Sequence, residues 1–538
     1  MGEKKHKRNS VVVATQQAIQ PMQENPAAMS VLTPGGRIQV SWDENASATA
    51  MGQLSFFAEF LEVSGLFQDW CERCPLRYTS PNAPTVVDVL GTWMLGILDG
   101  HHRYAHIAAL RGDGLAPRIL GMNKVIGDDS LRRALAQIAP APNARHDEAQ
   151  RQAQQAQVAR AVAWMQEQLR VSTQDALSTP WILDCDTTVK VLYGHQSGAE
   201  VAYNPRKPGR PSHSVHTYWI GNLRLVLDAQ VQPGKRHHAS HGLPGLKALL
   251  ERLPVAHRPR LVRGDCDFGN EAIMGELEAL GQPYLFKLRK SAGVKRLVQR
   301  HWQRRAWVDL GQGMSACEDR LRLSGWSQAR RVVLLRQAVR GEALLERKGK
   351  KLAQWQLQFI DANEPVKLWD YAVLVCDAPY ELGALGQLYR DRADCENGFD
   401  ELKNQWGWGG YTTHDIERCD LSAKAVALIY NWWSWYVRLA HPKARLEAIT
   451  SRPKLLAAVG RVTEHAGSTR VILTLTHAAS AQIQALVANV RAGLAHVRAI
   501  APQLSPANPW RALVRYIVEK ITRGRAGRPP PPLALLTG

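Results

Sequence analysis

The sequence predicts an α/β protein in which a mixed sheet flanked by helices is interrupted by a β-rich insertion, with helical regions before and after it. Three observations carry that prediction. Runs with period-two alternation begin abruptly at Trp181 and are soon interleaved with amphipathic helices. A second strand-rich block fills residues 291–379. Helical periodicity dominates from Gly52 to Ile138 and returns at Leu421.

Taken in order, residues 1–42 are polar and aperiodic and read as a flexible basic arm. Residues 43–145 read as an N-terminal helical domain: LSFFAEFLEV and VVDVLGTWMLGILDG are apolar at helical spacing. DDSLRRALAQI opens on Asp and Ser cap residues and offers Arg132 and Arg133 to DNA, a plain helical domain being the alternative. PAPNARHDEAQRQAQQAQ, a turn and a polar helix, marks the boundary.

Residues 146–290 form the first part of the core. WILDCDTTVKVL is a strand whose period places Ile182, Asp184 and Asp186 on one side. HSVHTYWI and LRLVLDAQV flank Gly221-Asn222, a dipeptide suited to a tight hairpin. HGLPGLKALLERL is a helix, RPRLVRGD a strand, NEAIMGELEAL a helix and PYLFKLRK a strand. The order β-β-β-α-β-α-β, closed by a helix carrying Glu396, is that of the ribonuclease-H-like fold. It sets the first strand beside the fourth, so Asp186 and Asp265 converge. In the insertion, SACEDRLRLSGW, ARRVVLLRQAV, KLAQWQLQFI and WDYAVLVCDA read as strands. Residues 380–412 hold the helix that completes the core, stopped by WGWGG. A helical region over 413–520 and a basic, Pro-rich tail over 521–538 end the chain.

The composition narrows the partners. Lys plus Arg number 68 against 48 Asp plus Glu in 538 residues, a formal charge of +20, which points to a polyanion, nucleic acid before anionic membrane. No apolar run reaches the roughly 18 residues of a membrane span. MGEKKHKRNS is followed by no apolar stretch, so no secretory signal is read and a cytoplasmic, nucleoid-associated protein is expected. The eight cysteines are scattered; the lone CxxC, Cys71 and Cys74, is a weak zinc signal, and free thiols are expected.

The chemistry gathers at LYRDRADCENGFDELKNQWGWGG. Tyr389, Arg392, Glu396 and Lys403 follow at steps of three, four and seven residues, within an arc of roughly 60° on one helix face. Two Asp and one Glu converging in a basic protein suit divalent metal held against phosphate, Mg²⁺ or Mn²⁺, with two ions per active site. Asp186, Asp265 and Glu396 are the expected ligands and catalytic residues. Asp184 is the alternative to Asp186, and Asp267 to Asp265. Arg392 and Lys403 would clamp a phosphodiester, and Tyr389 would donate to a phosphate or stack on a base. Arg206, Lys207 and Arg210, in a Pro/Gly-rich loop, suit phosphate contacts. His237, His238 and His241 read as loop histidines. Trp302, Trp307, Trp326, Trp355 and Trp369 punctuate the insertion, mostly as core residues.

DTT at Asp186 to Thr188, GDCDF at Gly264 to Phe268, and the series Tyr389, Arg392, Glu396, Lys403 together resemble the DDE transposases of bacterial insertion sequences. The likeness is to the branch with the Y-(2)-R-(3)-E-(6)-K signature, and it runs over residues 50 to 440. The resemblance implies cut-and-paste transposition: hydrolysis at the element's terminal inverted repeats, then attack of the freed 3′-hydroxyl on target DNA. It also implies a hairpin route for releasing flanking DNA, a homodimer on two paired ends, and an insertion that contributes to the active site. Two rivals remain. ILDCDTTV also fits the opening motif of haloacid-dehalogenase-like phosphatases, with Asp184 as nucleophile, and a non-catalytic DNA-binding derivative of a transposase is the other.

Overall fold

The computed structural model describes residues 29–41, 48–143, 145–204, 207–235, 241–302, 307–339, 368–465, 467–474, 479–500 and 508–523. The chain divides into two units, residues 1–47 and 48–538. In the first, Met29–Thr33 (β1) and Gly36–Val40 (β2) pair antiparallel through Pro34-Gly35. The arm predicted for residues 1–42 therefore contains a hairpin, made by the apolar residues Val31, Leu32, Ile38 and Val40 around a Pro-Gly turn.

The second unit opens with a short strand, Ala48–Thr49 (β3), and the helices Leu54–Ser64 (α1), Leu66–Glu72 (α2), Val86–Leu98 (α3), Ala116–Ile119 (α4) and Asp128–Ile138 (α5). A reciprocal Thr85–Asp88 capping box starts α3. The helix Glu148–Thr173 (α6) begins on a matching Asp147–Gln150 box, and only its second half, with Trp164, Met165 and Leu169, is buried. Helix formation by the polar first half thus follows from capping and straight-chain residues, and docking of the second half from its apolar face.

Ten strands make one sheet: Ile182–Val191 (β4), Glu200–Val201 (β5), Pro211–Ile220 (β6), Leu225–Pro233 (β7), Leu261–Gly264 (β8), Tyr284–Lys287 (β9), Val308–Gly311 (β10), Met314–Leu321 (β11), Arg330–Val339 (β12) and Leu368–Cys376 (β13). Their order is β10-β11-β12-β13-β9-β8-β4-β6-β5, with β7 paired to β6. β4 runs parallel to β8 and antiparallel to β6. Leu243–Arg252 (α7) and Glu271–Ala279 (α8) follow β7 and β8.

The structure adds to the expectation in three places, and one expected strand lies outside the described residues. The insertion opens on a helix, Ala292–Trp302 (α9), not a strand, because Val294, Leu297, Val298 and His301 bury one helical face. Its strands do not form a separate layer: β13 pairs with β9 (Val375 opposite Phe286), extending the core sheet. KLAQWQLQFI lies outside the described residues. The Gly221-Asn222 turn is a short 3-10 segment, Gly221–Leu223, closed by Arg224 at φ 47°.

After β13 come Leu382–Arg390 (α10), Ala393–Gln405 (α11), Ile416–Ala440 (α12) and Ala448–Leu455 (α13). Gly407 ends α11 at φ +71°, where a Cβ would strike the His101 carbonyl. α12 is buried on every side, with Trp432, Trp433 and Trp435 inside, and packs on α6 and β7. Two of its buried polar residues are held there: Asn431 brackets the Val226 peptide at 2.9 and 2.7 Å, and Lys424 meets Asp420 at 2.5 Å. The helical run expected next is broken by a hairpin, Gly460–His465 (β14) and Ser468–Leu473 (β15), whose β-branched residues flank Gly467 and pair with β3. Ser480–Ile500 (α14) and Asn508–Arg523 (α15) complete the described chain; the tail beyond lies outside it.

Candidate active site

β4 and β8 stay in parallel register up to Cys185 opposite Gly264. Asp186, still on β4, and Asp265, just past the end of β8, come next, beyond the last paired residues of two strands about 4.8 Å apart. Two residues earlier, Asp184 lies opposite Arg263. There the guanidinium grips the carboxylate with two bonds of 2.6 Å, and both side chains are sealed, at 0% and 2% exposure. Period two carries the same face forward to Asp186 and Asp265.

Arg263 does a second thing: its Nη1 donates to the Leu388 carbonyl. In an unbroken helix that carbonyl would accept from the Arg392 N–H. Instead the Arg392 N–H turns to the Tyr389 carbonyl at 3.2 Å, and the helix divides into α10 and α11. The single helix face expected for the four signature residues is therefore corrected. Tyr389 lies on α10, Arg392 at the junction, and Glu396 and Lys403 on α11.

The junction sits over the strand tips. Arg392 Nη2 donates to Asp186 Oδ2 at 2.7 Å and its Nη1 to Glu396 Oε1 at 3.1 Å. Burial would lower that guanidinium's pKa, but Asp186, with Cys395 and Asp184, more than reverses the effect. The Tyr389 phenol is pushed up to about 12, chiefly by burial, with Asp265 and Glu396 adding to the rise and Arg392 opposing it. Lys403 Nζ donates to the Thr188 hydroxyl. Asp265 Oδ1 accepts from the Asp267 N–H at 2.9 Å, while the Asp267 carboxylate pairs with Arg289. Glu396 remains 65% exposed and lines a cavity of about 220 Å³ with Tyr389, Arg392, Arg336 and Asp370.

The remaining predicted residues are scattered. Arg132, 3.6 Å from Asp128, lies over the Tyr104 ring, and Arg133 is exposed beside it. Arg206, His237, His238 and Trp355 lie outside the described residues. Lys207 and Arg210 both lie over the exposed Tyr193 ring, and Lys207 donates to its hydroxyl at 2.5 Å. His241 bonds Gln230 at 2.7 Å and packs on His216. Trp307 and Trp369 sandwich Arg336, each 4.4 Å from it, and Trp326 is buried. All eight cysteines are free thiols. Arg263 was missed by sequence reasoning, though its parity with Asp265 in LVRGD was a usable signal.

Two chemical consequences follow. Asp184, locked to Arg263 without exposure, cannot serve as a covalent nucleophile, which removes the phosphatase reading. The all-carboxylate set of Asp186, Asp265 and Glu396 suits a hard divalent ion. Among the described residues no group of three or more such side chains stands arranged as a finished metal cage. A cation already bridges two of the three, namely the Arg392 guanidinium between Asp186 and Glu396. The donor chemistry fits a metal ion, and Arg392 balances the charge. No helix among the described residues is long and apolar enough to cross a membrane.

Residues 76–499 match the family model described as transposase DDE domain group 1. No curated protein matches the chain. Among solved structures, the piggyBac transposase synaptic complex with hairpin DNA is 12% identical, over 88% of this chain and 85% of that one, with a TM-score of 0.38. A superposition that loose supports no argument.

Proposed function

The chain belongs to the transposase DDE domain family, whose members are DNA-cleaving, strand-transferring enzymes that use divalent metal, and from that premise we propose that it is the transposase of a bacterial insertion sequence. It is assigned to the Y-(2)-R-(3)-E-(6)-K branch, with a ribonuclease-H-like core and the division into domains given above. It acts on double-stranded DNA as a homodimer on paired terminal repeats, releases flanking DNA through a hairpin, and joins the freed ends to target DNA.

Asp186, Asp265 and Glu396 would hold the metal, two ions of Mg²⁺ or Mn²⁺. When bound, such ions supply an activated water or hydroxyl and counter-charge for the departing oxygen. The protein's own groups do the rest. Arg392 exchanges its carboxylates for a phosphate, which it grips as a fork, and Lys403 adds a point charge one α11 face further on. Tyr389 keeps its proton at neutral pH, since its pKa stands near 12, and therefore donates a hydrogen bond to the strand. Arg132, Arg133, Arg206, Lys207 and Arg210 hold the duplex by its backbone.

The observation that carries this reading is the convergence of Asp186, Arg392 and Glu396 beneath the α10–α11 junction, with Asp265 on the neighbouring strand tip. The test is cleavage of a duplex carrying the gene's flanking inverted repeats, with Mn²⁺ present. Glu396→Gln is expected to lower the rate at least ~1,000-fold, about 4 kcal/mol of barrier, while DNA binding persists. Undiminished cleavage would remove Glu396 from the site.

A further inference from the structure

The face of the sheet opposite the carboxylate site carries a groove that the proposed chemistry does not use. Along β13, Tyr371 and Val373 point toward α9, whereas Ala372 lines the cavity with Tyr389, Arg392 and Glu396. Period two makes these opposite faces of one strand. On the α9 side, the helix and the turn between β11 and β12 enclose an open groove of about 880 Å³. Gly293 lets them meet: a Cβ there would come 2.6 Å from the Leu323 side chain. The turn is fixed by the Trp326 N–H, which donates to the Leu323 carbonyl at 3.0 Å, and by Gly325 at φ +86°.

Three arginines, Arg296, Arg300 and Arg322, line this groove, and among the described residues no carboxylate does. All three are exposed. Among the described residues Arg296 makes no ion pair. Arg300 reaches Asp319 only at 4.0 Å, and that carboxylate is already held by His301 at 2.7 Å. Arg322 spends its Nε on the Trp326 carbonyl at 3.3 Å, which aims the fork while leaving both terminal nitrogens available. At the carboxylate site, by contrast, Arg263 and Arg392 are taken up by the protein's own acids. A groove lined by guanidinium forks in a chain of charge +20 fits the backbone of a nucleic acid better than a flat or apolar partner.

We propose that this groove binds the phosphodiester backbone of duplex DNA at a place separate from the carboxylate site, through Arg296, Arg300 and Arg322. The inference rests on the transposase reading for the identity of the polyanion. A segment of DNA lying here contacts the far side of the sheet from the strand being cut, so one protomer holds its DNA on both faces.

The test is salt-dependent binding of a non-specific duplex to the full-length protein in EDTA, where the carboxylate chemistry plays no part. Arg296→Gln/Arg300→Gln/Arg322→Gln is expected to lower the magnitude of the log K against log[salt] slope by about 0.9 for each phosphate no longer neutralised, about 2.7 in all. Arg296→Lys/Arg300→Lys/Arg322→Lys should keep most of the slope, since point charges still release counterions. An unchanged slope in a Gln variant that melts like the parent would overturn the proposal. So would loss of binding to anionic lipid vesicles with DNA binding intact. Failure of the active-site reading shows separately, as cleavage by Glu396→Gln, and leaves this measurement untouched.

Discussion

Asp184 and Asp186 stand two residues apart on one strand, face the same way, and each meets an arginine, yet they do opposite work. Asp184 is sealed with Arg263 at 0% and 2% exposure, and all the fork's reach is used, twice on the carboxylate and once on the Leu388 carbonyl. Asp186 keeps 15% exposure and shares Arg392, which lines a cavity, with a Glu396 that is 65% exposed. Such pairs differ in what breaking them costs. A closed buried pair that loses one partner leaves a charge with nowhere to go, whereas a pair at a rim can be re-solvated. The inner pair therefore sets the architecture, including the break between α10 and α11, and the outer pair remains exchangeable.

The largest effect expected from this contrast is on stability. Arg263→Ala should cost about 3–5 kcal/mol, because Asp184 is left buried and unpaired. Arg392→Ala should cost about 1–2 kcal/mol, since Asp186 gains water in exchange. Urea unfolding of the two variants reads the difference directly, and equal losses would erase the distinction between a sealed pair and an exchangeable one.

A third arginine sharpens the scale from the other side. Arg330 is itself buried, but its partners Glu271 and Glu278, 2.5 and 2.6 Å away, are only half-buried. Hydrogen bonds from Arg330 hold the Glu271 carboxyl at about 2, below its ordinary 4.5, and lower Glu278 as well. A folded-state pKa below the unfolded one adds stability that is present above about 4.5 and lost as the pH falls toward 2. Arg330→Gln should therefore lower the melting temperature at pH 7, where that stability is fully present, by less than Arg263→Ala does, and flatten its fall across the acid window. A parallel acid slope in the variant would show that these carboxylates carry none of it.

The same contrast explains what could be read in the sequence. The adjacency of β4 and β8, and with it the meeting of Asp186 and Asp265, followed from element order and period two, both local properties of the chain. So did the glycine stop after Trp406, whereas α5 starts behind Gly127 with no side-chain cap, Asp128 and Asp129 lying in its first turn instead of capping it. The helix break at Arg392 could not be read locally, because its cause is Arg263, 125 residues away from Leu388. Nor could the fusion of the insertion into the core sheet, which depends on β13 choosing β9 as neighbour instead of a partner of its own. The hairpin at β14 and β15 was hidden for a similar reason: its short β-branched runs are stabilised by pairing with β3, some 400 residues earlier in the chain.

The central claim is that three carboxylates from β4, β8 and α11 hold metal at one place. Fe²⁺ bound in the full-length protein, with ascorbate and peroxide, cuts the backbone beside its ligands. Cuts near Asp186, Asp265 and Glu396, all lost together in Asp186→Asn, are the predicted result; cuts confined elsewhere, or cuts at one of these positions that survive the substitution, would contradict it.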